Sequence, residues 1–304
     1  MGKKAFIFPG QGSQYVGMAK DLFEKSVEAK EMIKTADDIL GINLSYIMFN
    51  GPEEELKQTE YTQPAIFLHS VILSSIMRTI NAEAAAGHSL GEYSAYVASG
   101  SIQYHEAIIL VRARGVAMQE AGNQNKGTMA AIIGLEADKV ETLCAEASAV
   151  GIVQCANFNS PGQIVISGSE VGVKKTMELC KSAGAKIVKE LVVSAAFHSP
   201  LMVPGKEKLK TALDTTNFYN PKFSVYTNVT AKPVNGISEI KTKLYEQITA
   251  PVRWEETIMN MISDGIEEFY EIGPGNVLQG LLKRINPDVK RFGIDKYEDL
   301  EKYL

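Results

Sequence analysis

A serine set between two glycines is the first chemical signal in the chain, Gly87-His88-Ser89-Leu90-Gly91. This spacing suits a nucleophile elbow, a sharp strand-to-helix turn that holds the serine hydroxyl clear of a sheet. Glycine on either side relieves the crowding of such a turn. The turn also aims the amide of the next residue, Leu90, at an incoming carbonyl oxygen. Alone, the pattern fits an ordinary glycine-flanked turn equally well, so the chemistry depends on partners. A serine nucleophile needs a base, and the sequence offers four histidines. His69 lies inside an apolar helix and reads as a core residue. His105 opens a helix beside Glu106 and reads as solvated. His88 adjoins the serine but points elsewhere at such a turn, which places it beside the site. His198, in Ala196-Phe197-His198-Ser199-Pro200, is expected at the end of a strand facing a cleft, a suitable place for a base.

A cation gives the second signal. At about 100° per residue, Ala107, Leu110, Val111, Ala117, Met118 and Ala121 share one apolar stripe, and Arg114 falls in its middle. A guanidinium facing the core is costly unless it meets an anion. Either an internal Asp or Glu pairs with it, or it is a fork for a substrate carboxylate, which Arg binds in bidentate fashion. The second reading implies an acidic acyl group. Arg112 falls on the other side and reads as a solvated charge. A glycine-rich turn, Gly10-Gln11-Gly12-Ser13-Gln14-Tyr15, follows the first strand. Tyr15 stands where a dinucleotide fingerprint needs its third glycine, and no Gly-Lys-Ser/Thr occurs. The turn instead suits a second oxyanion donor, the Gln11 amide. Gly273-Pro274-Gly275 reads as a plain strand-to-helix turn.

These residues need a scaffold, and the rhythm of strand then helix favours an α/β class. Ala5 to Phe8 is a short buried strand, Ala84 to Ala86 a strand placed by position because its propensity is weak, and Pro64 to Met77 a long apolar helix. The middle of the chain reads Thr128–Leu135 strand, Ala137–Ala149 helix, Ile152–Phe158 and Gln163–Gly168 strands about the turn Asn159-Ser160-Pro161-Gly162, Val171–Ala183 helix and Lys186–Val193 strand. That is a βαββαβ order, the split ferredoxin-like motif, spanning about residues 126–197. Beyond it, Phe223–Val229 and Glu267–Ile272 look like strands and Asn276–Ile285 like a helix.

Composition narrows the classes. The 304 residues carry 31 Lys and Arg against 36 Asp and Glu, a net charge of −5, which argues against a nucleic-acid binder. With 45% hydrophobic and 22% charged residues the chain is globular and not disordered. No run reaches the roughly 18 apolar residues of a spanning helix, and the apolar stretch Ala5–Phe8 is too short for a secretory leader. Cys144, Cys155 and Cys180 are odd in number and widely spaced, as expected of free thiols in a reducing compartment such as the cytoplasm.

Taken together, Phe8-Pro9-Gly10-Gln11-Gly12-Ser13-Gln14, Thr62-Gln63-Pro64-Ala65, Gly87-His88-Ser89-Leu90-Gly91-Glu92-Tyr93, Arg114-Gly115, Asn157-Phe158-Asn159-Ser160-Pro161-Gly162-Gln163, Phe197-His198-Ser199 and Gly273-Pro274-Gly275 occur in that order. In this the chain resembles the malonyl-CoA:acyl carrier protein transacylase family of fatty-acid synthesis, from residue 4 to about 294. The resemblance implies a large hydrolase-like α/β subdomain with a parallel sheet, residues 1–125 and 198–304. It also implies an inserted ferredoxin-like subdomain, residues 126–197, with the site in the cleft between them. By resemblance, Ser89 is the acylated nucleophile, His198 the base, Arg114 the carboxylate clamp, and the Gln11 and Leu90 amides the oxyanion hole. The histidine is oriented by a backbone carbonyl, at the position of Gln247. Phe197 resembles malonyl-selective members, and Asn157 and Asn159 match positions near the site. Asn before Ser-Pro-Gly is also ordinary turn chemistry. The implied partners are malonyl-CoA and a phosphopantetheinylated acyl carrier protein, with no nucleic acid, membrane or metal. No cofactor is implied beyond the coenzyme A thioester that is itself substrate. Lys283-Arg284 and Lys186 with Lys189 are the candidate basic patches for an acidic carrier. A serine hydrolase, a non-catalytic carrier-docking subunit and a polyketide acyltransferase are the rival readings.

Overall fold

The computed structural model describes residues 2–304. Its strands are β1 (Lys3–Phe8), β2 (Ala84–Gly87), β3 (Thr128–Ile133), β4 (Val153–Ser160), β5 (Gln163–Gly168), β6 (Ile187–Glu190), β7 (Ser224–Tyr226), β8 (Ile266–Ile272) and β9 (Lys290–Ile294). They form two sheets. One is five-stranded, in the order β7-β2-β1-β8-β9, with every neighbouring pair parallel. The other is four-stranded and antiparallel, in the order β4-β5-β3-β6.

A parallel sheet is covered on both faces, and its central strands show it. Phe6 and Phe8 of β1 pack to one side with the helix Thr59–Ile76. Ala5 and Ile7 pack to the other with Trp254 and Ile258. Strand β2 has only alanine and glycine, yet all four residues are buried and run in register with β1 from Ala5 opposite Ala84. Position between two strands overrides its poor propensity. The antiparallel sheet packs Ile132 and Ile166 against Val140 and Val173 of the helices Ala137–Ala147 and Glu170–Ser182. Cys144, Cys155 and Cys180 are free, buried thiols of that core. Met129 and Val165 belong instead to the core shared with the parallel sheet. Among the described residues no helix is long and apolar enough to cross a membrane.

The α/β class and the βαββαβ order stand, but several boundaries move. Strand β4 runs through Asn159 and Ser160, so the turn is only Pro161-Gly162 and Asn159 is a strand residue. Strand β6 stops at Glu190 and not Val193. His198 therefore sits eight residues past the strand, in a returning connection, and not at a strand end. Strand β7 is shorter than the expected Phe223–Val229, and β9 has no counterpart in the sequence reading. The apolar helix begins at Thr59, ahead of Pro64. Pro64 has no amide to offer the Glu60 carbonyl. Arg112 fills that gap, donating to the Glu60 carbonyl and pairing with its carboxylate at 2.7 Å. Arg112 is thus an anchored residue and not a solvated charge.

The chain reverses between β2 and the helix Gly91–Ala98 with Ser89 at φ 52°, the left-handed region that costs a non-glycine residue about 1 kcal/mol or more. The helix starts so close to β1 that a Cβ on Gly91 would lie 2.0 Å from the Phe8 carbonyl oxygen. Gly91→Ala should therefore cost about 3 kcal/mol or more of folding stability. Denaturant unfolding measures this, and a parent-like midpoint would show that the elbow has room for a methyl group.

Candidate active site

A cleft of about 280 Å³ opens where the loops at the carboxyl ends of β1 and β2 face the antiparallel sheet, and Gln11, Ser89, Leu90, Arg114, Phe197 and His198 all border it. Ser89 Oγ lies 2.8 Å from His198 Nε2. On the far side of the ring, Nδ1 lies 2.9 Å from the Gln247 carbonyl and 3.1 Å from the Ala250 carbonyl. Carbonyls only accept, so Nδ1 carries the proton and Nε2 presents its lone pair to the serine. His198 is 3% exposed. Burial, and then the Arg114 charge, push its pKa down to about 3, against the pull of the two carbonyls. The imidazole is neutral, the form that can take a proton from a hydroxyl. Gln154 braces this arrangement by donating to the carbonyls of His198 and Thr249 at 2.8 and 3.0 Å. Strand β4 also pairs with Val252 through two backbone bonds, which ties the antiparallel sheet to the segment holding the ring.

Arg114 is wholly buried on the helix Tyr104–Gln124. Its terminal nitrogens donate to Gln63 Oε1 at 2.8 Å, Gln247 Oε1 at 2.9 Å and Ser89 Oγ at 3.0 Å. Its Nε has no partner among the described residues. No carboxylate is in ion-pair contact among the described residues: the guanidinium meets two neutral carboxamides, a hydroxyl and the Tyr93 ring, with the Glu92 carboxyl acting only at longer range. A buried charge held this way keeps its attraction for an anion entering the cleft.

Gln11 and Leu90 border the same space, and among the described residues neither backbone amide donates a hydrogen bond. Glycine at position 10 is what lets the two loops meet, because a Cβ there would fall 2.4 Å from the His88 carbonyl oxygen. His88 itself turns away from the serine and lies 2.9 Å from Asn159 Oδ1. Burial holds its pKa below the ordinary value. The side chain of Asn159 thus serves His88 and not a turn. Asn157 borders the cleft and is 7% exposed. His69 is a core residue, as expected, lying 2.6 Å from the Asp295 carbonyl. Arg284 donates to Gln163 at the cleft wall at 2.7 Å, whereas Lys186, just before β6, and Lys189, on it, stand exposed.

Besides Gln154 and Ala250, three residues of this network have no assigned role in the sequence reading. Gln63 holds Arg114. Asn228 accepts from the Ser89 amide at 2.7 Å and donates to the Gly87 carbonyl at 2.7 Å, bracing the elbow. Glu92, fully buried, accepts from Gln247 Nε2 at 2.7 Å and from the Asn228 amide at 3.0 Å. Burial outweighs these donors and pushes its pKa up to about 7. A glutamate inside the apolar helix Gly91–Ala98 was a signal of the same kind as Arg114. Asn228 gave none, since Thr227-Asn228 looks like any strand exit.

Residues 5–291 match the acyl transferase domain family. The chain belongs to that family. Among this acyl transferase's relatives, the malonyl CoA-acyl carrier protein transacylase of Bacillus subtilis is 44% identical, over 99% of this chain and 96% of that one. The transacylase of the same name from Haemophilus influenzae is 42% identical over the full length of both. The crystal structure of an acyl carrier protein S-malonyltransferase from Vibrio cholerae superposes with TM-score 0.95 at 40% identity, covering 99% of each chain. A malonyl-transacylase in complex with a type II polyketide acyl carrier protein matches equally well, at TM-score 0.95, 40% identity and 99% of each chain.

In this acyl transferase the His198 ring should stay neutral from pH 8 down to about pH 5, because its pKa is held near 3. Replacing Arg114 by methionine removes the largest cause after burial and should move the titration upward. Imidazole NMR shifts report both, and a His198 transition near pH 6.5 would contradict the site's electrostatics.

Proposed function

We propose that this acyl transferase moves a malonyl group from malonyl-CoA to the phosphopantetheine thiol of acyl carrier protein, in fatty-acid synthesis, through a covalent ester on Ser89. One observation carries the reading: a buried guanidinium without a carboxylate partner stands 3.0 Å from a serine that is itself 2.8 Å from a neutral imidazole. That combination suits a nucleophile whose acyl substrate ends in a second carboxylate.

The steps follow from the geometry. His198 Nε2 takes the hydroxyl proton as Ser89 Oγ attacks the thioester carbonyl. The oxygen of the tetrahedral intermediate accepts from the Gln11 and Leu90 amides, each of the kind whose loss costs about 3 kcal/mol of barrier. Collapse expels the coenzyme A thiolate, which His198 protonates. The carrier thiol then gives its proton to His198, attacks the Ser89 ester and leaves as malonyl thioester, returning the proton to Ser89. The Gln247 and Ala250 carbonyls hold the ring and stabilise the imidazolium that forms twice per cycle. Arg114 grips the malonyl carboxylate with its paired nitrogens, and Phe197 narrows the wall beside it. Thioester is exchanged for thioester, so the residues need no cofactor besides the substrate. A cytoplasmic setting agrees with the free thiols at Cys144, Cys155 and Cys180. We assign residues 126–197 to a small subdomain that closes one side of the cleft. Lys283 and Arg284, on the helix whose Val277, Leu278 and Leu281 line the cleft, are the basic pair offered to an acidic carrier. Service to a polyketide carrier is a second reading, favoured by the polyketide complex among the structural relatives.

Intact mass spectrometry after mixing with malonyl-CoA tests this reading. A malonyl adduct should form, be absent in Ser89→Ala, and pass to added carrier protein instead of appearing as free malonate. Release as malonate would make the protein a hydrolase. Arg114→Ala should lower the malonyl-to-acetyl preference by about 10²-fold, and an unchanged preference would remove Arg114 from substrate recognition.

A further inference from the structure

We infer that Glu92 is a positioning residue for the Arg114 clamp, acting by fixing which way round the Gln247 carboxamide sits. The inference rests on the malonyl-transfer reading of the site and deepens it. An amide presents a donor at one end and an acceptor at the other, and its direction is set by neighbours. Around Gln247 the neighbours are unequal. Nε2 lies 2.7 Å from Glu92 Oε2 and 3.0 Å from the Ser89 carbonyl, both acceptors. Oε1 lies 2.9 Å from Arg114 Nη2, which only donates. Turned over, the amide would set its NH2 against the guanidinium and its oxygen against a carboxyl and a carbonyl. The shortest contact defending the observed direction comes from Glu92.

Glu92 does this without direct contact with the clamp, although the two groups still attract each other across the site. It forms no ion pair with Arg114 among the described residues, because the neutral amide lies between them. Gln247 is also the residue whose main-chain carbonyl holds His198 Nδ1 at 2.9 Å. A carboxyl that meets no substrate atom thereby sets the residue shared by the clamp and the base. The same Glu92 oxygen accepts from the Asn228 amide at 3.0 Å, and Tyr96 donates to the other oxygen at 3.3 Å. Every donor to this carboxyl is thus a fixed part of the wall behind the elbow.

The function needs an acceptor at the Oε2 position, not a charge. Glutamine can place its carbonyl there and turn its NH2 toward the Tyr96 hydroxyl, which accepts. Methionine fills the space with nothing to hold the amide. The readout is the ratio of kcat/KM for malonyl-CoA to that for acetyl-CoA, because a merely structural lesion lowers both together. Glu92→Met should lower the ratio about tenfold, chiefly through the malonyl KM, while Glu92→Gln stays within about threefold of the parent. In a Gln247→Met background the Glu92→Met change should lower the ratio no further, since its route is gone. Equal losses for both substrates in Glu92→Met, or losses that multiply in the double variant, would overturn the inference. If Glu92→Met does not fold, Gln247→Met alone decides, and an unchanged ratio there overturns it. The parent enzyme separates the two levels: absence of a malonyl adduct on the parent sinks the functional reading, whereas an adduct with an unmoved variant ratio sinks only the role of Glu92.

Discussion

The structure turns on a positive charge placed where proteins avoid one. Arg114 is wholly buried, and its partners are two carboxamides and the Ser89 hydroxyl. Leaving a buried charge without its counter-ion costs about 3–5 kcal/mol in measured cases. Such a cost persists where function needs it. Neutral acceptors hold the terminal nitrogens while no carboxylate lies in ion-pair contact, so on the malonyl-transfer reading the direct pairing is left to the substrate carboxylate. The same charge presses His198 toward its neutral form. An anionic substrate on Arg114 would relieve that pressure and make the ring more basic as the serine is attacked.

The rest of the fold brings remote segments to this charge. The elbow after β2 supplies Ser89, the connection after β6 supplies His198, and the helix ending at Gln247 supplies the carbonyl that aligns the ring. The glycines at 10 and 91 permit backbone contacts that any side chain would block. Arg114, the serine elbow and the His198 ring are therefore not separable modules. Gln247 touches all three, through its two side-chain ends and its main chain.

What could be read in advance follows physical lines. Ser89 showed itself through turn chemistry and Arg114 through helical periodicity, because both signals are local. His198 emerged by elimination among four histidines, yet its expected setting was wrong. Pairing of β6 with β3 ends at Glu190, and the chain then leaves the sheet to cross the cleft. Strand β9 was invisible because Lys290–Ile294 is a half-exposed edge containing a glycine, and only pairing with β8 makes it a strand. Arg112 was misread because the vacancy it fills, the carbonyl four residues before Pro64, belongs to another helix. Glu92 and Asn228 illustrate the same limit. Their meaning lies in contacts across 155 and 139 positions of chain, with Gln247 and the Ser89 amide.

The most direct measurement is a crystal structure of the enzyme trapped with malonate on Ser89. The account predicts that the Arg114 nitrogen now on Ser89 Oγ leaves it, that both terminal nitrogens lie within hydrogen-bond distance of the malonyl carboxylate, and that Gln63 and Gln247 stay in place. A carboxylate pointing to solvent or to another cation, with Arg114 still on the serine oxygen, would contradict it.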